Sequence, residues 1–203
     1  MEGSFILCFA AMMLFMAPGV KGTGHLSFAN NTQVNITRAG CGVSKHCVAT
    51  PDNCDPAGNA ICLFGSAFST APMAPNGADV TIQLSGNSSG YIALGLTASA
   101  TQGTTMLFIC AQNSSTNGTF FFRTLQKNNT DGMVTPKETR VTEIRGVVNG
   151  TLIQCEFTVL SVNATSTRSS DSSFQILLGS GTVVGGEWTH RLSRNHLYSV
   201  FFY

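Results

Sequence analysis

From about Asp79 onward the chain alternates apolar with polar residues in short runs, and no apolar stripe of helical period persists for several turns. A period of two sends successive side chains to opposite faces of a strand. Val80, Ile82 and Leu84 alternate with Asp79, Thr81 and Gln83. After a turn cluster at 85–90, residues 91–97 place Ile92, Leu94 and Leu96 on one face. Residues 105–111 (Met106, Leu107, Phe108, Ile109, Cys110) are apolar on both faces, which predicts a central, doubly buried strand. Residues 113–118 read as another turn, and 119–126, with three consecutive Phe, as the next strand. Residues 127–140, with Gly132 and Pro136, read as a long connection. Residues 141–148 and 151–159 flank Asn149-Gly150, a hairpin dipeptide whose two turn positions need φ > 0. That turn predicts Val148 opposite Thr151 and Ile144 opposite Cys155, with Ile144, Ile153, Cys155, Phe157 and Val159 facing inward. Residues 174–178 and 197–202 complete the strands. About eight to ten short strands with Gly/Asn/Ser turns predict an all-β chain folded as an antiparallel β-sandwich with immunoglobulin-like two-sheet architecture.

The length, 203 residues, suits one domain with a short appendage. Eleven Lys and Arg stand against ten Asp and Glu, and only 10% of residues are charged. No basic field is present to hold nucleic acid. The 43% apolar fraction argues against disorder, and no run reaches the roughly 18 apolar residues of a membrane span.

Residues 5–17 have the length of a signal-peptide apolar region, and Val20-Lys21-Gly22 offers small residues where a signal peptidase reads. The start, Met1-Glu2-Gly3-Ser4, lacks the usual basic residue, and a buried core helix is the plainer alternative. The expected organisation is a signal peptide at 1–22, a lead-in at 23–34 and the domain at 35–203. Cys8 leaves with the signal. Cys41, Cys47, Cys54, Cys62, Cys110 and Cys155 remain, an even number that implies disulfides in a secreted protein. Sequence does not choose the pairing. The four cysteines within 41–62 are expected to staple that segment to itself or its neighbours, and Cys110 with Cys155 to bridge two sheets. No Cys-x-x-Cys pair suggests zinc. Asn-x-Ser/Thr occurs at Asn30, Asn35, Asn87, Asn113, Asn117, Asn128, Asn149 and Asn163, which predicts glycans on loops and strand edges.

Candidates for chemistry each carry a plainer reading. Gly86-Asn87-Ser88-Ser89-Gly90 matches Gly-x-Ser-x-Gly, but a nucleophile elbow needs a following helix and a strand follows here. A glycosylated turn is the plainer reading. Gly179-Ser180-Gly181 lacks the third glycine of a phosphate loop, since Val184 stands there, and reads as a loop leaving a strand. Asp52, Asp55, Asp79, Asp131, Glu138, Glu143, Glu156, Asp171 and Glu187 form no evident acid/base dyad. Arg145 opposite Gln154, beside Glu156, reads as a solvent face. His25, His46, His190 and His196, with Met73, Met106 and Met133, supply the residue types that hold a haem iron in electron-transfer proteins. Against that, a Met in an apolar strand usually fills core, and His190 near Trp188 reads as surface.

Three stretches together resemble a known family: 36–42 running on to Cys47, Cys54-Asp55-Pro56 and Cys62; 84–96 followed by Cys110; and 145–155. They resemble the DOMON domain of the ferric-chelate reductase 1 (stromal cell-derived receptor 2) group, over roughly residues 35–203. The resemblance implies a β-sandwich that in relatives binds haem b or a sugar. In full-length relatives it is followed by a transmembrane cytochrome b561 unit and in some preceded by a reeler domain. Two departures matter. The sequence ends at Phe201-Phe202-Tyr203, so the expectation is a module lacking the cytochrome b561 part. The haem-binding relatives carry a Met just before the turn glycine ahead of the central strand, where Gln102-Gly103 stands here. Met106 lies nearby and His190 falls roughly where a ligand histidine would. The leading expectation is a secreted or lumenal glycosylated module that binds an extracellular ligand or protein partner, such as a membrane cytochrome b561, and is non-catalytic by itself. The alternative is a haem b electron-transfer domain with Met106 and His190 as axial ligands. A longer form with membrane helices would sit on the outer side of a membrane. A hydrolase built on Ser88 is the third reading.

Overall fold

The computed structural model describes residues 32–58, 60–69, 78–113, 118–162, 173–184, 187–192 and 198–201. The expected signal peptide lies outside the described residues, as do His25, Asn30, Met73, Asn117, Asn163, Asp171 and His196. Among the described residues there are twelve strands and no helix. In a five-stranded sheet, strands numbered along the chain lie in the order β1 (His46–Thr50), β2 (Leu63–Ser69), β3 (Ala78–Asn87), β9 (Leu152–Val162), β8 (Val141–Asn149). The second sheet has seven strands. Its order is β11 (Glu187–Leu192), β10 (Ser173–Val184), β4 (Tyr91–Thr97), β5 (Thr104–Asn113), β6 (Thr119–Asn128), β7 (Val134–Pro136), with β12 (Tyr198–Phe201) also on β10. Strand pairing is antiparallel throughout both sheets. The expected β-sandwich is the fold.

The inner faces carry the alternating residues. Val80, Ile82 and Leu84 of β3, with Ile153, Phe157 and Val159 of β9, pack against Ile92, Leu94 and Leu96 of β4 and Phe108 of β5. The Phe157 ring lies 5.3 Å from that of Phe108 and 4.7 Å from that of Phe122, within the range of favourable aromatic pairs. Beside these rings the Cys110–Cys155 disulfide joins β5 to β9, and hence one sheet to the other, with 6.4 Å between the Cα atoms. Strand β5 is central and buried on both faces, because Leu107, Ile109 and Ala111 form a second apolar cluster with Tyr91, Ala93 and Leu125 on its other side.

The hairpin differs from expectation. Val148 pairs with Ile153 and Gly146 pairs with Cys155, while Asn149 faces Leu152 and closes β8. The turn is therefore Gly150-Thr151, and within it Gly150 alone has a positive φ, 60°. Glycine at the first central position is the signature of a type II′ turn, which needs φ > 0 only there. A bulge between Thr142 and Arg145 then re-aims the start of β8. Ile144 still packs against the core. Gly146 is glycine for a steric reason: a Cβ there would overlap the ring of Phe120, which crosses from the opposite sheet.

Four strands lie where none was read. β1 and β2 build the edge of the five-stranded sheet, β7 lies inside the expected long connection, and β11 pairs with β10. Gly179-Ser180-Gly181 is not a loop. It sits inside β10, opposite Ala93, Ile92 and Tyr91 of β4. The cysteine-rich segment staples to itself, through Cys41–Cys47 and Cys54–Cys62. It folds as a strap over the outer face of the five-stranded sheet, where Val34 and Ile36 bury with Ala49, Cys62 and Phe64. Arg38 ties the two clips together by donating to the Cys54 carbonyl (3.1 Å) and to Asn53 Oδ1 (3.3 Å).

Gly146→Ala should destabilise the fold by about 1–3 kcal/mol through overpacking. In a double-mutant cycle with Phe120→Leu, the smaller partner should recover part of that loss. Guanidinium unfolding midpoints check it, and strict additivity would show that the Phe120 ring is not the obstacle.

Candidate functional site

The outer face of the five-stranded sheet carries one polar row across four strands. Ser66 of β2, Gln83 of β3, Glu156 of β9 and Arg145 of β8 stand directly opposite one another in turn. Gln83 is 8% exposed, and both its amide oxygen and its amide nitrogen are bonded. Its Oε1 accepts from Ser66 Oγ (3.1 Å) and Lys45 Nζ (3.3 Å), and its Nε2 donates to Glu156 Oε2 (2.7 Å). Lys45 also donates to the Thr37 carbonyl (3.1 Å), which fixes the strap onto the row. Arg145 reaches Glu156 at 3.8 Å with half of its side chain exposed. Flanking this row, Thr81 and Thr158 share a 3.1 Å hydrogen bond and Gln154 Nε2 donates to Ser85 Oγ (3.4 Å). The strap covers the β1–β3 side of the face, while Arg145 and the β8 side remain open. The pairing of Arg145 with Glu156, not Gln154, follows from the corrected hairpin register.

The turn before β5 is where the family resemblance puts a ligand methionine. Gln102 and Gly103 there are exposed, and the turn is closed by Asn129. Asn129 Nδ2 donates to Thr97 Oγ1 (3.1 Å), the Ser99 carbonyl (2.7 Å) and the Gln102 carbonyl (3.1 Å), its Oδ1 accepts from Thr105 Oγ1 (2.7 Å), and its backbone N–H donates to the Gly103 carbonyl (2.9 Å). Asn129 closes the loop together with Thr97, whose Oγ1 donates to the Ser99 carbonyl (2.8 Å) and accepts from the Ser99 amide (3.2 Å).

The structure does not bring Met106 and His190 together. Met106 stands opposite Leu96, which stands opposite Ile176, and it packs against the core. His190 stands opposite Gly181, in the row of Tyr91 and Ala111. The two rows are five residues apart along β4, roughly 17 Å, and the two strands are three places apart, roughly 14 Å. The backbone positions of Met106 and His190 are therefore far apart in the sheet. Among the described residues no group of three or more His, Cys, Asp or Glu could hold a metal ion.

Ser88 is committed to structure. Its Oγ donates to the Gly181 carbonyl (3.0 Å) and accepts from the Gly90 amide (3.2 Å), and β4 follows it directly. Asn35, Asn87, Asn128 and Asn149 are exposed, and Asn113 closes β5. Met133 is exposed, in the turn between β6 and β7. The polar row is the feature that sequence reading missed. Gln83 looked like an ordinary outward residue, and nothing local announces the strap that buries it.

Comparison with known proteins finds distant homology to two proteins provisionally named ferric-chelate reductase 1. The one from Danio rerio is 23% identical over 144 residues, covering 70% of this chain and 24% of that protein. The one from Xenopus laevis is 34% identical over 74 residues, covering 36% of this chain and 12% of that protein. The chain spans a quarter or less of the length of these relatives. No protein-family profile matches it, and no solved structure does. No helix among the described residues is long and apolar enough to cross a membrane, and the three disulfides fit an extracellular or lumenal setting.

Two outcomes follow from this geometry. Asn129→Ala should leave the sandwich folded but cost about 1–3 kcal/mol in stability, and hydrogen exchange should show faster opening confined to 98–105. Burial pushes the Tyr91 phenol above its ordinary value of 10.0. The neutral phenol is the favoured form in the fold, so its contribution is intact below the unfolded value and is lost as pH rises through the raised one. Ultraviolet titration should therefore show one tyrosine ionising late, and Tyr91→Phe should remove that late step.

Proposed function

We propose that this protein is a secreted or lumenal, glycosylated binding module of the DOMON type that holds an extracellular ligand or protein partner and performs no covalent chemistry by itself. The observation that carries the reading is the polar row from Ser66 to Arg145. Its groups are hydrogen-bonded in place on a rigid sheet and half covered by a disulfide-clipped strap. Side chains fixed in this way bind with little ordering cost. Arg145, at the open side, is the residue best placed to meet a partner's carboxylate or carbonyl. The homology to ferric-chelate reductase 1 proteins supports placing the module beside a membrane redox unit, with a cytochrome b561 as its partner.

Haem is the discriminating ligand. The full chain, secreted and purified with its disulfides intact, should stay colourless when haem is supplied. It should bind detergent-solubilised cytochrome b561, and Arg145→Ala should weaken that binding by roughly tenfold, about 1.4 kcal/mol. A Soret band at one haem per chain that shifts on reduction would replace this reading with haem b electron transfer.

A further inference from the structure

The geometry points to Asn87 and Asn149 as one paired N-glycosylation site, at which a glycan on the first acceptor restricts transfer to the second. Leu152 opens β9, and it stands directly opposite both residues, Asn87 closing β3 on one side and Asn149 closing β8 on the other. Directly opposed residues share a face. The two acceptors therefore lie in one row on the outer face of the five-stranded sheet, two strand spacings or roughly 10 Å apart. Both are exposed, with the partly buried Leu152 between them.

The two sequons are also joined chemically. Thr151 supplies the hydroxyl of the Asn149 sequon, and its Oγ1 accepts a 3.4 Å hydrogen bond from Asn87 Nδ2. The Thr151 carbonyl accepts from the Ser88 amide at 2.8 Å. These contacts close only when β9 has docked on β3. Asn87 leaves the ribosome 62 residues ahead of Asn149 (149 − 87), which is on the order of 3–12 s of synthesis. It is an open acceptor for that whole interval. The β8–β9 hairpin is local and forms in microseconds, so Asn149 reaches its row beside a residue already carrying a bulky glycan.

The step itself needs a lipid-diphosphate-linked oligosaccharide and a lumenal transferase, so the inference rests on the secretory reading above. The asparagine Nδ2 loses a proton and forms a bond to the anomeric carbon. The bond from that carbon to the lipid diphosphate breaks, and the diphosphate leaves. Neither Asn35, on the strap, nor Asn128, opposite Thr104 of β5 at the far end of β6, has a described sequon beside it in its row, so these two serve as internal references.

Glycopeptide mass spectrometry of the full chain from a secretory host tests the pair. The expected result is higher occupancy at Asn87 than at Asn149. Asn87→Gln should raise Asn149 occupancy at least twofold, and so should Ser89→Ala, which removes the first sequon but keeps the Asn87 side chain. Asn128→Gln should not change it. Full occupancy of both sites in the unaltered chain overturns the inference, as does an Asn149 level indifferent to both variants. Glycans at Asn35 and Asn128 with none at Asn87 or Asn149 overturn the pair alone. No glycan at any sequon overturns the secretory reading together with it.

Discussion

The Cys110–Cys155 bridge, set against the rings of Phe108, Phe122 and Phe157, is the tie on which the remaining geometry depends. It joins β5, flanked by β4 and β6, to β9, flanked by β3 and β8. Both cysteines are wholly buried. Closing the chain between them, 45 residues apart, removes unfolded-state freedom worth roughly 2–5 kcal/mol. Around that bridge the packing is tight: Gly146 of β8 lies opposite Cys155, and the Phe120 ring from the other sheet takes the space a side chain there would need. The Gly150-Thr151 turn and the bulge after Thr142 bracket this stretch of β8.

A second constraint acts on the outer face. Ala49 and Phe64 need cover, and the strap supplies Val34 and Ile36. Covering them also takes Gln83 out of water, which is costly unless every polar atom is paired. Lys45, Ser66 and Glu156 provide that pairing. The Arg145–Glu156 contact is half exposed and worth at most about 1 kcal/mol. Its value lies in orientation: the buried part of the row fixes Glu156, which in turn holds Arg145 at the uncovered side of the sheet.

Much of the sandwich was legible in the alternation. The inner faces of β3, β4 and β9 and the doubly buried β5 follow from period-two patterning, whereas the expected bridge between Cys110 and Cys155 is established only by the fold. What was not legible failed for identifiable reasons. Strands β1 and β2 lie among Gly, Ser and cysteine-loop residues whose composition reads as loop. Gly179-Ser180-Gly181 reads as loop for the same reason, yet the ladder with Ala93, Ile92 and Tyr91 of β4 runs straight through it. Asn149-Gly150 marked a hairpin correctly, but which two residues occupy the turn depends on the pairing imposed from the core. The candidate site was less legible still. Met106 and His190 are the right residue types for a haem, and only the register shows them roughly 20 Å apart.

Local chemistry thus decided that this chain makes strands, where most of them turn, and which side chains face inward, because those properties are set by neighbours within a few residues. Cysteine number and the sequons likewise needed no fold to be read. Pairing across the sheets, the burial of Gln83 under the strap, the separation of Met106 from His190 and the meeting of Asn87 with Asn149 were decided by tertiary structure. Each brings together, or keeps apart, residues tens of positions distant, and no local preference specifies such a relation until the two sheets have closed on one core.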